Sequence, residues 1–501
     1  MEHQTKGSMT VFFSILTVLF LSLLCALAES ARIQGARVKA SSVLDLGVFS
    51  LFGEYDKYLL EEYDVFAFNG SYGTGTFSIG DVEERLDRYM SKNAKPGTTL
   101  FPMDTEGSQI LEYALLTDSK GEVFKNQVVS NLKSAIGTEA AARFLEKKRD
   151  AEAMEKEGEL YEQQEQTNHT DLERLEAEKE QAAAEETKEA GVVEITPEPE
   201  TPTPANPLDV IKQIKKTGIL GLVMRNPEEV SQKTLEKNQL VSRRRRENGN
   251  MRLPGKQSGV AADAVFLEYL TSRFGNFREP KEKSGLAYQM EYLLGGKTSD
   301  RENLKKVVNK LLFVREGVNF LCIGGNARMR HEAELLAAAL TAAIPIPGIT
   351  AATTAALLLA WAYGESLLDV RQLLAGGKVP LVKTEQSIKL TLNNLIHLTE
   401  VLKECDSGGG EGVDYEGYLQ ILLVGGSQRE YPMRALDLIE TELRQKENYG
   451  SFCIDHCIAG LSAQAEWQFK PVFSGVASAF LGGSLGRISY VSEKEFCYQA
   501  G

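Results

Sequence analysis

The sequence predicts an α+β protein with an N-terminal transmembrane and stalk helix, a small β-containing head built from both termini, a large helical region, and an acidic helical or disordered spacer. Three observations predict this class. Residues 9–28 form an apolar run without charge, several later segments carry apolar residues three or four apart, and residues 461–469 alternate apolar with polar side chains.

Composition excludes several classes of function. With 501 residues and 43% hydrophobic side chains, the chain is long enough for more than one folded unit. Its net charge of -14 argues against a nucleic-acid binder that neutralises phosphates, and most of this negative charge lies in residues 139–207. Six cysteines are too few for a disulfide-dense module, and five histidines without a paired motif give no zinc signature.

Residues 9–28 are long enough to cross a bilayer as a helix, at about 1.5 Å per residue. A cleaved secretory signal is the alternative, because Lys6 precedes the run and Ala26 and Ala28 fit a small-x-small cleavage site. The run is longer than a usual signal core, and the helical pattern continues through Leu44. We therefore expect the segment to be retained as an anchor.

The first folded part follows the anchor. Residues 30–63 have the pattern of one long stalk helix, residues 65–68 that of a short strand, and residues 82–90 that of a helix capped by Asp81. Residues 139–189 are rich in Ala, Glu, Lys and Gln, with large apolar residues too sparse for a coiled-coil seam, so we expect a solvated helix or a partly disordered spacer. The proline-rich stretch 196–207 predicts an extended linker.

The second folded part is predicted to be helical, with helices at 263–274, 285–294, 300–320 and 332–343. Residues 335–364 form a second uncharged run, but Pro345 and Pro347 interrupt it. We expect two buried helices meeting at a turn there, not a second membrane span.

The C-terminal part contains the best strand, residues 461–469, and residues 487–491 could return as its partner. Because an isolated two-stranded ribbon is marginal in water, the strand needs further neighbours, and residues 65–68 and 99–101 are candidates. This places strands from both termini in one head. The expected divisions of the chain are an anchor, an N-terminal part, a spacer with linker, a helical domain and a C-terminal part, with bounds 1–29, 30–138, 139–207, 208–404 and 405–501.

Three motifs carry some chemical interest. Gly295, Gly296 and Lys297 resemble the end of a phosphate-binding loop, but Glu291 stands where that loop needs glycine, and Gly295 is better explained as a helix cap. The four arginines of 243–246 could bind nucleic acid, anionic lipid or wall polymer, yet without interleaved aromatic residues a solvated loop is the preferred interpretation.

Cys453, Asp455, His456 and Cys457 offer metal-ligating groups. On a strand the two sulfurs would lie about 13 Å apart, so only a helix or a turn would bring them together, and a structural role is preferred. Cys322, Cys405 and Cys497 follow no spacing pattern. No serine nucleophile motif or distinctive carboxylate pair is present, and we therefore expect no catalytic residues, no metal and no cofactor.

The sequence also resembles a bacterial family of unknown function whose N-terminus is similar to pilin-like proteins of tight-adherence (Tad) pili. The resemblance covers most of the chain outside the spacer, and its segments are 6–12, 29–33, 50–56, 206–211, 216–220, 303–316, 361–383 and 455–457. It implies a membrane-anchored surface protein of Gram-positive-type bacteria, an accessory component of the pilus system, and no enzymatic activity. Gly7 is placed like the residue before a pilin cleavage site, but Phe12 stands where such pilins carry glutamate, which puts cleavage and filament incorporation in doubt.

Orientation is left open by the residues alone. Arg32, Arg37 and Lys39 outnumber Lys6, which favours a cytoplasmic C-terminal part, while the short N-terminal flank and the resemblance favour the outside. We expect an extracellular accessory protein that contacts the bilayer through one helix and binds protein partners, but not nucleic acid. The alternatives are a surface hydrolase or cell-wall-polymer-binding protein, and a cytoplasm-facing membrane scaffold.

Overall fold

The computed structural model describes residues 5–94, 101, 103–133, 138–189, 206–253, 257–344, 346–405, 410–473 and 486–498. The chain divides into two compact units. The sheet unit consists of Met1–Ser134, Arg244–Gln257 and Leu443–Gly501, and the helical unit consists of Ala135–Arg243 and Ser258–Glu442. These bounds differ from the expected divisions, because most of the expected spacer and residues 405–442 belong to the helical unit.

The described residues of the sheet unit form four α-helices and four strands. Its elements are α1 Thr5–Phe52, α2 Lys57–Tyr63, β1 Phe68–Asn69, α3 Ile79–Asn93, β2 Met103–Leu115, α4 Asp118–Leu132, β3 Cys457–Phe469 and β4 Ile488–Cys497. All strand pairs are antiparallel, and β3 is central: β2 pairs along one side of it, while β1 and β4 pair with the other. The sheet therefore takes strands from both ends of the chain.

The predicted strand 461–469 is confirmed as part of β3. Its predicted return strand, 487–491, overlaps β4 from Ile488 onward, and Trp467 pairs there with Tyr490. The inward side chains of β3 are completely buried, and they are Leu461, Ala463, Ala465, Trp467 and Phe469. They pack in one core with residues of α1 such as Ala40 and Leu44. The segment 65–68 contributes only Phe68 to a strand, and β2 begins at Met103, after the expected 99–101, of which 99 and 100 lie outside the described residues.

Two helix predictions need correction. The expected stalk helix 30–63 is broken, because α1 ends at Phe52 and the Asp56 carboxylate starts α2 by accepting hydrogen bonds from the N–H groups of Tyr58 and Leu59, both at 3.0 Å. Asp81 does not cap the next helix. It lies in the first turn of α3, where a negative charge is favourable at the helix N-terminus.

The helical unit contains eleven helices within the described residues. They are α5 Thr138–Glu189, α6 Pro207–Lys215, α7 Ile219–Val223, α8 Val260–Arg273, α9 Gln289–Gly295, α10 Asp300–Gly325, α11 Ala327–Thr341, α12 Ile349–Leu374, α13 Leu398–Glu404, α14 Tyr415–Gly425 and α15 Tyr431–Leu443. The uncharged run 335–364 divides between α11 and α12, and α12 is buried along most of its length. The predicted division into two helices is confirmed and the two pack together, but the prediction that both are buried is wrong for α11, which buries only one side and leaves Leu335 59% exposed.

The expected spacer is helical, as one of the two alternatives predicted, but the described part of α5 is not solvated on all sides. This helix packs against α8, α10, α12 and α14. Its buried positions recur every seven residues, and Met154, Tyr161, Asn168 and Leu175 are between 2% and 6% exposed. Ala151 and Gly158 are buried as well, in a second series with the same spacing. The helix thus has a continuous packing seam, which is built partly from small and polar residues.

Candidate functional site

The surface of α1 changes along its length. Between Met9 and Leu27 the large apolar side chains are exposed, as shown by Val18 at 66% and Phe20 at 61%. From Ala36 onward, side chains three or four residues apart are buried in the core of the sheet unit. The first part is long and apolar enough to span a membrane, and the described residues bury none of its most apolar stretch. It is the candidate membrane anchor.

Glu29 and Arg32 lie where the exposed part of α1 passes into the buried part, and they are 4% and 7% exposed. The Glu29 carboxylate accepts hydrogen bonds from Arg32 Nη2 at 2.5 Å and from the backbone N–H groups of Val472 and Phe473 at 3.1 and 2.7 Å. Arg32 Nη2 also donates to the carbonyl of Lys470 at 2.7 Å. These charge-assisted bonds join the base of the candidate anchor to the segment just after β3.

The next turns of α1 are held to β4. The guanidinium of Arg37 lies 5.5 Å from the ring centre of Tyr490, and the Ser41 hydroxyl is 3.2 Å from the Tyr490 hydroxyl. Further along, Lys494 forms an ion pair of 3.2 Å with Asp45. The helix that carries the candidate anchor is therefore an integral part of the sheet unit.

The candidate metal ligands do come together. Cys453, Asp455 and His456 lie in a turn before β3, and their ligand atoms are within 4.8 Å of one another. However, Arg244 Nη2 lies 2.5 Å from Asp455 Oδ1, and Arg444 Nη2 donates to Cys453 Sγ at 3.4 Å. Two guanidinium groups beside the ligand atoms disfavour a divalent cation. The arrangement is better explained as a set of structural contacts through which Arg244 and Arg444 hold this turn in place.

The thiols show no sign of redox pairing. All six cysteines are among the described residues, and no disulfide bond joins any two of them. Cys457 is the first residue of β3, whereas Cys453 lies in the turn before it, and Cys457 Sγ lies 3.7 Å from the Cys453 carbonyl oxygen. The separation of about 13 Å expected on a strand does not apply, because only Cys457 lies in the strand and a turn brings Cys453 close to it.

The glycine-rich stretch after α9 is a helix end. Gly296, and not Gly295, provides the cap, with φ of 63° in the left-handed region that favours glycine. The N–H of Lys297 donates to Asn303 Oδ1 at 2.8 Å, so it is occupied within the protein. Glu291, which breaks the phosphate-loop pattern, is fully buried. This local structure does not form a phosphate-binding loop.

The arginine run 243–246 is engaged within the protein. Arg243 donates to the carbonyl of Gly296 at 2.5 Å in the helical unit. Arg244, in the sheet unit, makes the ion pair with Asp455 described above. At least half of the run therefore has internal partners, which agrees with a structural loop better than with a nucleic-acid site.

A buried charge network in the helical unit was not predicted. Arg315 and Asn319 on α10 face Glu365 and Asp369 on α12, and Lys383 follows α12; all five are at most 7% exposed. Arg315 Nη2 lies 2.9 Å from Asp369 Oδ2, and Lys383 Nζ lies 2.7 Å from Glu365 Oε1 and 2.9 Å from Asp369 Oδ1. The two cations neutralise the two anions, so the network is a structural link between α10 and α12. The four-residue spacing of the two acids on an apolar helix was the available signal.

These features define an α+β protein with one candidate membrane helix and no assembled catalytic site among the described residues. Residues 197–469 match the model of DUF5702, a family of unknown function, and since this is more than half of the chain, the protein belongs to that family. No curated protein and no solved structure matches the chain. The matched region contains the buried charge network, but it does not contain α1.

Proposed function

We propose that this protein is a membrane-anchored, non-enzymatic accessory component of a pilus-like, tight-adherence surface assembly, with most of the chain outside the cell. The observation that carries the proposal is α1, whose first part exposes a membrane-length apolar surface while its second part is built into the sheet unit. A continuous helix that is fixed at Glu29 and Arg32 suits a rigid anchor better than a removable leader.

A partner surface is available on the second part of α1. Val38, Leu46 and Phe49 are exposed by 67%, 52% and 67%, on the side of the helix opposite its buried residues. Exposed apolar residues at helical spacing are suited to packing against another helix. We assign this surface to a protein of the same assembly, because it continues the apolar surface of the anchor.

The non-enzymatic part of the proposal is supported by the cations that lie beside the side chains with catalytic or metal-binding potential. Cys453, Asp455 and His456 lie beside two guanidinium groups, and the buried acids Glu365 and Asp369 are neutralised by internal cations. The outward orientation is supported by the resemblance of the N-terminus to pilin-like proteins. The cations Arg32, Arg37 and Lys39 favour the opposite side, and this alternative is a cytoplasm-facing scaffold.

Membrane fractionation tests the anchor. The full chain should stay in the membrane pellet after alkaline carbonate extraction, while a chain that begins at Glu29 should be soluble. Mass spectrometry of the membrane form should find residues 9–28 retained. Extraction of the full chain by carbonate, or a natural N-terminus at Glu29, would contradict the anchor.

Photocrosslinking in cells tests the assembly role. A crosslinking residue at Phe49 should give an adduct with a protein of the pilus assembly, whereas one at the exposed Lys57 of the same unit should give much less. Equal adducts at both positions, or adducts with cytoplasmic proteins alone, would contradict the proposed partner.

A further inference from the structure

A cavity of about 490 Å³ lies within the sheet unit. The residues that line it come from two stretches, 54–85 and 448–452, and the structure describes both stretches without a gap. Four aromatic residues form part of the wall, and they are Tyr55, Tyr72, Tyr449 and Phe452. The volume falls in the range of about 300 to 1,000 Å³ that is usual for sites of small organic ligands.

Contacts within the protein hold the aromatic wall in place. The guanidinium carbon of Arg85 lies 4.8 Å from the ring centre of Tyr72, and the ring centres of Tyr449 and Phe452 are 5.6 Å apart. Tyr55 is the most exposed of the four aromatic residues, at 42%. Fixed rings of this kind provide flat apolar surfaces on which the C–H groups of a sugar ring can pack.

Hydrogen-bonding groups lie among these rings. The Tyr449 hydroxyl donates to Asp56 Oδ2 at 2.9 Å, and since a carboxylate oxygen has two lone pairs, Oδ2 can also accept from a ligand hydroxyl. Asn69 Oδ1 accepts from the N–H and the hydroxyl of Ser71, whereas Asn69 Nδ2 donates to none of the described residues. The Asn448 side chain likewise makes no hydrogen bond within the described part of the chain. Both amides are therefore available to a polar ligand.

The backbone is in an uncommon conformation where it borders the cavity. Tyr72 and Asn448 have φ of 46° and 66°, in the left-handed region. Asparagine adopts this conformation readily, but a residue as large as tyrosine does so at a cost in free energy. Strained backbone is found more often at binding sites than elsewhere, which agrees with a binding role for this cavity.

The charges that line the cavity indicate the class of ligand. Two carboxylates, Glu54 and Asp56, are present with two cations, Lys57 and Arg85. Both oxygens of Glu54 accept hydrogen bonds from Arg85 Nε, at 2.8 and 2.7 Å, so this acid is neutralised within the protein. The lining thus has no excess of either charge for a phosphate or an ammonium group, and a neutral ligand rich in hydroxyl groups suits it better.

We infer that this cavity binds a neutral saccharide, with Tyr55 and Tyr449 packing against the sugar ring and Asp56, Asn69 and Asn448 bonding its hydroxyl groups. Tyr55 and Asn448 are exposed, so the site is open to solvent. The function is binding and not hydrolysis, because Glu54 is engaged by Arg85 and the lining then lacks the two free carboxyl groups with which most glycoside hydrolases act. The inference goes beyond the proposed assembly role and does not depend on it.

Calorimetry on the full chain tests the site, in a detergent without a sugar head group because such a head group would compete. Cellotetraose and the tetramer of N-acetylglucosamine are the neutral probes, and cellotetraose oxidised to carboxylates at C6 is the anionic comparison at equal ionic strength. At least one neutral probe should bind saturably, and the oxidised probe should bind about tenfold or more weakly than it.

Binding of the N-acetylglucosamine tetramer alone would support the site and identify an acetamido sugar as its ligand. The absence of saturable binding by both neutral probes, or equally strong binding of the oxidised probe, would overturn the proposal. Neither result would bear on the membrane anchor or on the assembly partner, because the measurement uses the purified chain alone.

Variants of the two exposed residues locate the binding. Tyr55→Ala should weaken binding about tenfold or more because it removes the exposed ring, whereas Tyr55→Phe, which keeps the ring, should stay within about threefold of the parent. Asn448→Gly should also weaken binding, and glycine is the suitable replacement because it accepts the positive φ at this position without strain.

Asn93→Ala is the control variant, because Asn93 is an exposed asparagine at the end of α3 that does not line the cavity. It should bind the neutral probe as the parent does. If Tyr55→Ala fails to fold, Asn448→Gly still tests the site. Parental binding by both Tyr55→Ala and Asn448→Gly, or an equal loss in Asn93→Ala, would overturn the proposal.

Discussion

Two buried carboxylates in the helical unit show how the surroundings decide the charge of a residue. Asp369 is fully desolvated, which alone would raise its pKa, but Arg315 and Lys383 lie beside it and hold the pKa of this carboxyl below its ordinary value. Glu291 is equally buried and has no cationic partner among the described residues. Burial therefore raises the pKa of Glu291 to about 7.

The hydrogen bonds of Glu291 are too few to offset the rise in its pKa that burial causes. Its Oε1 accepts from the Phe277 N–H at 2.8 Å and from the Tyr415 hydroxyl at 2.7 Å, and both bonds act to lower the pKa. Its Oε2 has no hydrogen-bond partner among the described residues. Since the folded state holds its proton more tightly than the unfolded state, the free energy of unfolding should fall as the pH rises from about 4.5 to about 7.

We predict that Glu291→Gln removes this contribution. The amide oxygen can accept the same two hydrogen bonds, and no charge has to be buried, so the variant should gain stability over the parent by up to about 3 kcal/mol at pH 8. At pH 4.5 the two chains should differ little. Denaturant unfolding followed by the fluorescence of Trp361 would measure this in a Trp467→Phe background, because the chain has two tryptophans and Trp467 belongs to the sheet unit.

The pH dependence distinguishes the explanation from a simple packing effect. Burial also raises the pKa of Asp437 to about 6 and the pKa of Glu316 to about 7. These two groups titrate alike in the parent and in the variant. The difference between variant and parent therefore reports Glu291 alone. A stability difference that stays constant between pH 5 and pH 8 would contradict the raised pKa.

At the scale of the elements, the contact between α5 and α10 depends on glycine. A Cβ atom on Gly317 of α10 would lie 2.3 Å from the backbone carbon of Glu157, and one on Gly158 of α5 would lie 2.5 Å from the ring of Phe313. At Gly317 the backbone of α5 approaches so closely that there is no room for a methyl group, and at Gly158 the ring of Phe313 occupies that space. This close approach is the strongest evidence that α5 belongs to the packed body.

We predict that Gly317→Ala lowers the free energy of unfolding of the helical unit by about 1 to 3 kcal/mol, since it forces α5 and α10 apart. At a solvent-exposed position of a helix, a change from glycine to alanine would leave the free energy of unfolding unchanged or raise it. Gly324→Ala is the matched control on the same helix, because no heavy atom lies within 4 Å of the added methyl position. The fluorescence of Trp361 is again the measurement, and equal effects of the two changes would show that α5 is not packed there.

The failed prediction for α5 has a clear physical cause. Large apolar residues alone do not mark its packing seam, because the helix also buries Ala151, Gly158 and Asn168 at seam positions. Asn168 serves there because its side chain donates to the carbonyl of Ala352 at 2.8 Å. A partner at that distance along the chain cannot be read from local sequence, so a polar residue in the seam looked solvated.

At the scale of the whole molecule, the sequence predicts well those features that carry a regular alternation of apolar and polar residues or a helix-breaking proline. The alternation in 461–469 predicted the central strand, and the prolines within 335–364 predicted the division of that run into two helices. Features that depend on distant partners were missed. The ion pair of Arg315 with Asp369 joins residues that are far apart in sequence, and only folding brings them together.

The central claim is that the chain is held by one membrane helix with its bulk outside the cell. Protease treatment of intact cells tests this directly at the proline-rich linker 197–207, which lies mostly outside the described residues and which its sequence predicts to be extended. The account predicts that the linker is cut in intact cells and that the N-terminal fragment stays in the membrane fraction. Protection of the linker until the cells are lysed would contradict the account and place the bulk of the chain in the cytoplasm.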